Sequence, residues 1–372
     1  MKNCKPLFLA AVSLFAGLAI TVQASAQSQM SSLDTGAKAK FITIEAPGAG
    51  KGSGQGTAAL QISPSGVIVG QYSDANSVFH GYVRASDGTY TKFDPPGSSG
   101  TNAWSINPRG TITGDDFDSS SVWHSYVRTK GGSITTFDVS GAGTSSGQGT
   151  QAIVINPAGT IAGQYIDANN VYHGFSRASD GTITPFDVAG AGTGSGQGTS
   201  VTIGGVNPAG TITGWYLDSS NVLHGYVRTS DGTITPFDVS GSGTGSFQGT
   251  SSAGINTKGA ITGEYVDANN VSHGFLRASD GTITTFDVPG AGTGSGQGTD
   301  PNSLNAEDEI TGYYVDAANA YYGFVRTSDG TIKTFDVPRA TAINPLFVSS
   351  AGKIVGNAFK ANGAYYGFLL LP

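Results

Sequence analysis

The side chains best suited to chemistry in this chain are its five histidines, and all of them stand at one recurring position: His80, His124, His173, His224 and His273. Arg84, Arg128, Arg177, Arg228, Arg277 and Arg326 recur in the same way four residues further on. Asp94, Asp138, Asp187, Asp238, Asp287 and Asp336 form a third recurring set. A histidine that works as general base needs partners set around it once, in one place. A residue present in every copy of a repeat instead solves a packing or hydrogen-bonding problem that every copy has. The histidines and arginines therefore read as structural positions, with the aspartates as polar partners. Zinc takes three or four ligands, which one imidazole per copy does not gather. No metal and no cofactor is expected.

A singular site on a ring of near-copies must be built from what differs between them, and the second copy differs most. It reads Asp115-Asp116-Phe117-Asp118, with Asp116 where five siblings carry tyrosine. Its connection at 95–100 is five residues shorter than the others, and it holds Trp104 and Trp123, leaving only Trp215 elsewhere. Three carboxylates beside two indoles suit a sugar or a weakly held cation. The same acids could serve as general acid and base in a hydrolase or lyase. Drift of one copy near the chain start accounts for the same differences. Asp115, Asp116, Asp118, Trp104 and Trp123 are thus candidate ligand-binding residues, and no residue is assigned as catalytic.

Two further motifs invite chemistry and do not support it. Gly48-Ala49-Gly50-Lys51-Gly52-Ser53 places a lysine among glycines, but a phosphate-binding loop needs glycine where Glu45 stands and Ser or Thr where Gly52 stands. These glycine-rich segments read as flexible crossings between copies. The Asp74/Asn76, Asp167/Asn169 and Asp267/Asn269 loops resemble the start of a calcium loop, yet supply too few carboxylates for six to eight oxygens. An Asx-type turn explains them.

The elements that position these residues follow from the period. The repeat phenylalanine falls at Phe93, Phe137, Phe186, Phe237, Phe286 and Phe335, with Ile44 in its place at the start, so the unit is written seven times at intervals of 44 to 51 residues. Each unit contains four short runs rich in Thr, Ile, Val, Tyr and Phe, separated by Asn-Pro, Asp-Gly and Asn-rich turn signals, and no stretch keeps a helical period. Four strands every 40 to 50 residues is the propeller signature. An open solenoid would need capping units. The last unit instead stops after a third strand, at Tyr365 to Pro372, while Phe41 to Pro47 is a fourth strand lacking its first three. The expected fold is all-β: a seven-bladed β-propeller of four-stranded antiparallel blades over 38–372, closed by pairing of the N- and C-terminal strands.

Composition and the chain start bound the setting. Lys2 and Lys5, an apolar run over 6–22 and Ala24-Ser25-Ala26 have the form of a secretory leader, giving a signal peptide at 1–26 and a disordered lead-in at 27–37. The lone Cys4 falls in the leader, so the mature chain has no thiol chemistry. The net charge is −7 for the whole chain, and −9 without Lys2 and Lys5, with no basic cluster. Nucleic acid and anionic membrane surfaces are excluded on that ground. No later stretch approaches 18 apolar residues, so no membrane insertion is expected either.

The repeat core, VxHGFxR preceded by GxITGxYxD and followed by DGTITTFDV, resembles the bacterial extracellular repeats of the HAF family, named for a His-Ala-Phe triplet. The triplet here is His-Gly-Phe or His-Gly-Tyr, with His124-Ser125-Tyr126 and Tyr322-Gly323-Phe324 as departures. The resemblance covers 38–372 and implies an exported repeat protein, extracellular or periplasmic, without an assigned activity. The function expected is that of a secreted binding or structural propeller, a monomer, whose ligand is a glycan or a protein at the cell envelope. A secreted carbohydrate-active hydrolase or lyase using the acids of the second copy is the alternative.

Overall fold

A computed structural model describes residues 40–372, which form 28 strands and no helix. The expected signal peptide at 1–26, the lead-in at 27–37 and the first two residues of the expected propeller lie outside the described residues. No helix among the described residues is long and apolar enough to cross a membrane.

The unit at 149–186 shows how sequence becomes sheet. Strands Gly149–Ile155, Ile161–Ile166, Tyr172–Arg177 and Ile183–Phe186 pair in order, each antiparallel to the last. The first strand bulges between Ala152 and Val154. Gly163 stands opposite that bulge, where a methyl group would collide with the Gln151 carbonyl and come within 2.9 Å of the Phe175 ring. The repeated glycine of the second strand is therefore a steric requirement for the bulge. The same strand order and the same glycine recur at 56–93, 100–137, 198–237, 249–286 and 298–335.

Loops at the two ends use their polar residues on the backbone. In the turn after the first strand, Asn156 Oδ1 accepts from the amides of Ala158 and Thr160 at 3.0 and 2.9 Å. In the loop after the second, Asp167 Oδ1 accepts from Asn169 and Val171, both at 2.8 Å, and Asn170 takes a positive φ of 62°. That is an Asx turn ending in the left-handed region that Asn tolerates. The glycine-rich crossings, expected to be flexible, are pinned by one glutamine each. Gln148 accepts from the Ser145 amide at 3.0 Å and donates to the Ala168 carbonyl and Asn170 Oδ1 at 3.2 and 3.0 Å. Crossings and Asx loops thus lie together on one end.

Neighbouring units are held by the recurring polar residues. Thr150 Oγ1 accepts from the Val139 amide at 2.9 Å, fixing the end of the preceding unit on the next unit's first strand. Asn156 Nδ2 donates to the Asn207 carbonyl of the following unit at 3.0 Å. Arg128, Arg177, Arg228, Arg277 and Arg326 each lie over the preceding unit's phenylalanine ring, 4.7 to 5.0 Å from its centroid. Arg84 has Ile44 in that place and lies 5.8 Å over Tyr90 of its own unit instead. Between units, buried Ile, Val, Phe and Tyr form a succession of small cores, such as Ile155, Ile161 and Phe175 with Val139.

The chain ends meet. Lys40–Ile44 pairs antiparallel with Tyr365–Leu371, Phe41 opposite Leu370 and Ile44 opposite Gly367. Strands Ala342–Val348, Ile354–Phe359 and Tyr365–Leu371 thereby gain their fourth strand from the other end of the chain. Asn357 Oδ1 accepts from the Ala59 amide at 2.9 Å, joining this group to the unit at 56–93. The first sheet edge is covered by the last strand.

Candidate functional site

The bulge in each first strand turns one residue toward the common axis of the units. Leu60, Trp104, Ile153 and Leu346 come from four different units and pack in one buried cluster, with Ile203 against it. The bulged residues of four units thus converge on one place. Large side chains fill that side of the axis. Across from them stand Ala253, Asn302 and Thr202, which are smaller, and the first strand Gly198–Val206 is two residues longer than its siblings. A pocket of about 70 Å³ opens there.

The pocket is lined by Trp104, Trp215, Glu264, Asp300, Asn302 and Gln151, by the hydroxyl residues Thr202, Ser251 and Ser252, and by the apolar side chains of Ile153, Val201, Ile203, Ala253, Pro301 and Leu346. Trp215, Glu264 and Tyr313 occupy the same position of three successive second strands, opposite Ser200, Ser251 and Asp300 of the first strands. Burial first, and then the nearby Asp300 and Glu264 carboxylates with a hydrogen bond to Asp300, hold the Tyr313 hydroxyl far above its usual range. Two indoles thus face two carboxylates and two amides, with no Lys or Arg in the lining. Ser252 Oγ, on a residue 1% exposed, and Thr202 Oγ1 also lie in this wall without a protein partner.

Asp115 stands at the same second-strand position as Trp215 and Glu264, in the unit at 100–137. It is fully buried, accepting from Asn102 Nδ2 and Trp104 Nε1, both at 2.7 Å. Burial pushes its carboxyl up to about 7 despite those two hydrogen bonds. Asp115 therefore positions the Trp104 indole at the pocket rather than offering an oxygen to it.

The other candidates from this unit lie elsewhere. Asp116 follows Asp115 and so points from the opposite face of the strand, beside His124 in the register. It is buried, its Oδ1 has no partner, and burial raises its carboxyl to about 6, with His124 opposing and Asp138, Asp118 and Asp94 adding. Asp118 is an Asx turn, accepting from Ser120 and Val122 at 2.8 and 3.0 Å. Trp123 packs edge-on against Phe117. The structure brings Asp115 and Trp104 together at the axis and separates them from Asp116, Asp118 and Trp123.

Each histidine is held between two aspartates. The Nδ1 atoms of His80, His124, His173, His224 and His273 lie 2.9 to 3.0 Å from Asp94, Asp138, Asp187, Asp238 and Asp287. Their Nε2 atoms face Asp74, Asp118, Asp167, Asp218 and Asp267 at 3.6 to 3.9 Å. Burial opposes the His124 cation, but the Asp138 hydrogen bond and the charges of Asp138, Asp116 and Asp118 prevail and raise its pKa. Among the described residues no group of three or more His, Cys, Asp or Glu is arranged to hold a metal ion.

Trp215, Glu264, Asp300 and Asn302 were not singled out by the sequence, although the signal is present in it. The residue between the repeated glycine and the next recurring position reads Gln71, Asp115, Gln164, Trp215, Glu264, Tyr313 and Asn357, a hypervariable position inside a nearly constant motif. Comparing copies by position finds it, whereas comparing whole copies led to the unit at 100–137.

No protein-family model matches the sequence, and no curated protein matches it. Solved structures do. The selenomethionine-substituted virginiamycin B lyase from Staphylococcus aureus is 15% identical with a TM-score of 0.56, over 90% of this chain and 99% of that one. A streptogramin B lyase is 15% identical with a TM-score of 0.57, over 89% and 97%. The BP39L lectin from Burkholderia pseudomallei is 9% identical with a TM-score of 0.53, over 84% and 94%. At these identities the likeness establishes the architecture, a β-propeller-like ring of repeated antiparallel units.

Proposed function

We propose that this chain is a secreted seven-bladed propeller of the HAF repeat type that works as a non-catalytic binding module, holding a glycan in its axial pocket. The observation that carries the reading is the convergence of Trp104 and Trp215 with Gln151, Asn302, Glu264 and Asp300 on one pocket. Sugar recognition needs that combination: flat apolar rings for the C–H faces of a pyranose, and fixed amide and carboxylate oxygens for its hydroxyls. Secretion rests on the leader-like sequence at 1–26, and the repeat resemblance agrees with it. Among proteins of similar fold is a lectin, which is compatible with glycan binding.

The hydrolase or lyase alternative draws support from lyases of similar fold and from the raised carboxyl of Asp115. A general acid must reach its substrate, and Asp115 is fully enclosed with both oxygens occupied. Binding is the better-supported reading.

The test is a glycan array followed by calorimetry on the best oligosaccharide. Trp215→Ala should weaken binding at least tenfold, with folding checked by melting. Asp116→Tyr, which restores the residue of the sibling units and removes a buried carboxylate oxygen without a partner, should leave binding unchanged. If instead Asp116→Tyr abolishes binding and Trp215→Ala does not, the site lies under the shortened connection at 95–100 and not on the axis.

A further inference from the structure

Two hydroxyls in the wall of the axial pocket stand where their units depart from the siblings. Ser252 lies opposite Gly263, the repeated glycine of its second strand, at the start of the first-strand bulge. In the other units the residue opposite that glycine is Ala59, Ala103, Ala152, Val201, Pro301 or Pro345, each with an apolar side chain. Ser252 is 1% exposed, and its Oγ has no protein partner. Thr202 belongs to the irregular stretch between Val201 and Val206 that makes Gly198–Val206 longer than the other first strands. Its Oγ1 also lacks a protein partner. Both residues line the pocket. A buried hydroxyl without a hydrogen bond destabilises the fold that holds it, and alanine serves at the Ser252 position in three other units. Packing alone therefore does not account for the Ser252 hydroxyl.

Other polar groups of the wall are engaged within the protein. Asn302 Nδ2 donates to Asn344 Oδ1 and the Pro345 carbonyl at 2.9 and 2.8 Å, Gln151 Oε1 accepts from Gln164 at 3.1 Å, and Asp300 shares a hydrogen bond with Tyr313. Ser252 and Thr202 can bond a ligand without giving up a protein partner. The size of the pocket limits what reaches them. A cavity of about 150 Å³ takes a benzene ring, and this one is about 70 Å³, so it admits a substituent of a sugar and not the sugar ring. Beside the two hydroxyls stand Trp215, Val201, Ile203 and Ala253. We infer that the axial pocket seats the N-acetyl group of an acetamido sugar, its amide hydrogen-bonded to Ser252 Oγ and Thr202 Oγ1 and its methyl against the apolar side chains. The inference rests on the axial glycan reading above and narrows it to one substituent. A hydroxyl both donates and accepts, so one can donate to the acetyl oxygen while the other accepts from the amide N–H. The methyl leaves water for an indole and aliphatic wall, a gain that a hydroxymethyl group of similar size offsets by burying its own hydroxyl. A free amine brings donors and a charge but nothing apolar.

An acetamide reaches a protein on a sugar or on a peptide, and the experiment separates the two. Calorimetric titrations of the intact mature protein at pH 7 would use the N-acetylglucosamine trimer, its deacetylated counterpart, a glucose trimer and an N-acetylated dipeptide amide. The expected result is binding of the acetylated trimer at least about tenfold tighter than either other trimer. Ser252→Ala, which restores the residue of three sibling units, and Thr202→Val should each weaken the acetylated trimer roughly fivefold to tenfold with the melting temperature maintained. Unchanged binding in both variants would overturn the role of the hydroxyls. The preference of the unaltered protein decides the matter even if a variant fails to fold. Equal binding of the three trimers would overturn the acetyl inference and leave the glycan reading standing. Binding of the dipeptide with no trimer would uphold the acetyl seat and remove the glycan. Tighter binding of the glucose or glucosamine trimer, or no binding by any of the four, would overturn the inference.

Discussion

Replacing Asp115 with asparagine should make the protein relatively more stable as the pH rises, and the size of the effect can be worked from the site. The carboxyl is fully buried and pushed up to about 7 by burial, from a usual value near 3.8. Its folded-state pKa lies above the unfolded one, so between these values the folded protein keeps a proton that the unfolded chain releases, and stability falls as the pH rises. Each pH unit crossed between the two values costs about 1.4 kcal/mol. Integrated from pH 5 to pH 8, the loss attributable to Asp115 is roughly 2 to 3 kcal/mol, levelling off above pH 8. With an unfolding entropy of about 2.1 cal/mol/K per residue, a ring of this size should show that loss as a fall in Tm of roughly 4 °C. The Asp115→Asn protein has no such titration. The Asn102 amide can turn to present its oxygen to the new amide, so Trp104 keeps an acceptor. Urea unfolding at pH 5, 6, 7 and 8, followed through tryptophan fluorescence, reads the difference between the two proteins directly. Curves that stay parallel from pH 5 to pH 8 would show that the Asp115 carboxyl does not titrate there, and would refute its placement as a buried, raised group behind Trp104.

Two structural expectations can be checked in the same way. Removal of residues 40–47 strips the fourth strand from Tyr365–Leu371 and exposes Phe41's neighbours Phe335 and Phe368; a large fall in Tm and association on a sizing column should follow, and a truncated protein that melts like its parent as a monomer would refute closure through this pair. A double-mutant cycle on Arg177→Met and Phe137→Leu should give a coupling of about 0.5 to 1 kcal/mol in urea unfolding. The same cycle on Arg84 and Ile44 should give none, because Ile44 presents no ring; equal couplings would show that the repeated arginine acts through packing of its stem and not through the π face.

The period, the alternation of apolar residues and the turn chemistry determined the strand content and the four-strand unit. Asn156, Asp167 and Asp180 could be read as turn residues from sequence because their hydrogen bonds are to backbone two to four residues away. His173 beside Asp187 was legible for a similar reason, since adjacent antiparallel strands fix which residues stand side by side. The arginines over the preceding unit's phenylalanines were visible as recurring residues without visible partners, and the glutamines that hold the crossings were not singled out. Those partners lie across the boundary between units, in a place that only stacking defines.

The axial pocket depended on the tertiary structure altogether. Trp104, Trp215, Glu264 and Asp300 are spread over nearly 200 positions of chain and become neighbours because the stacked units bring their first and second strands to one axis, Trp104 from the bulge of its first strand, Asp300 from beside such a bulge, and Trp215 and Glu264 from second strands. Asp115 and Asp116 make the same point at the smallest scale. As sequence they are one acidic pair, but the pleat sends one to the axis, under the Trp104 indole, and the other outward beside His124. The sequence determined the repeating scaffold, since that follows from local periodicity repeated in every copy. Tertiary structure alone decided where the differences between copies accumulate, because a closed ring has one axis and each unit contributes a single face to it.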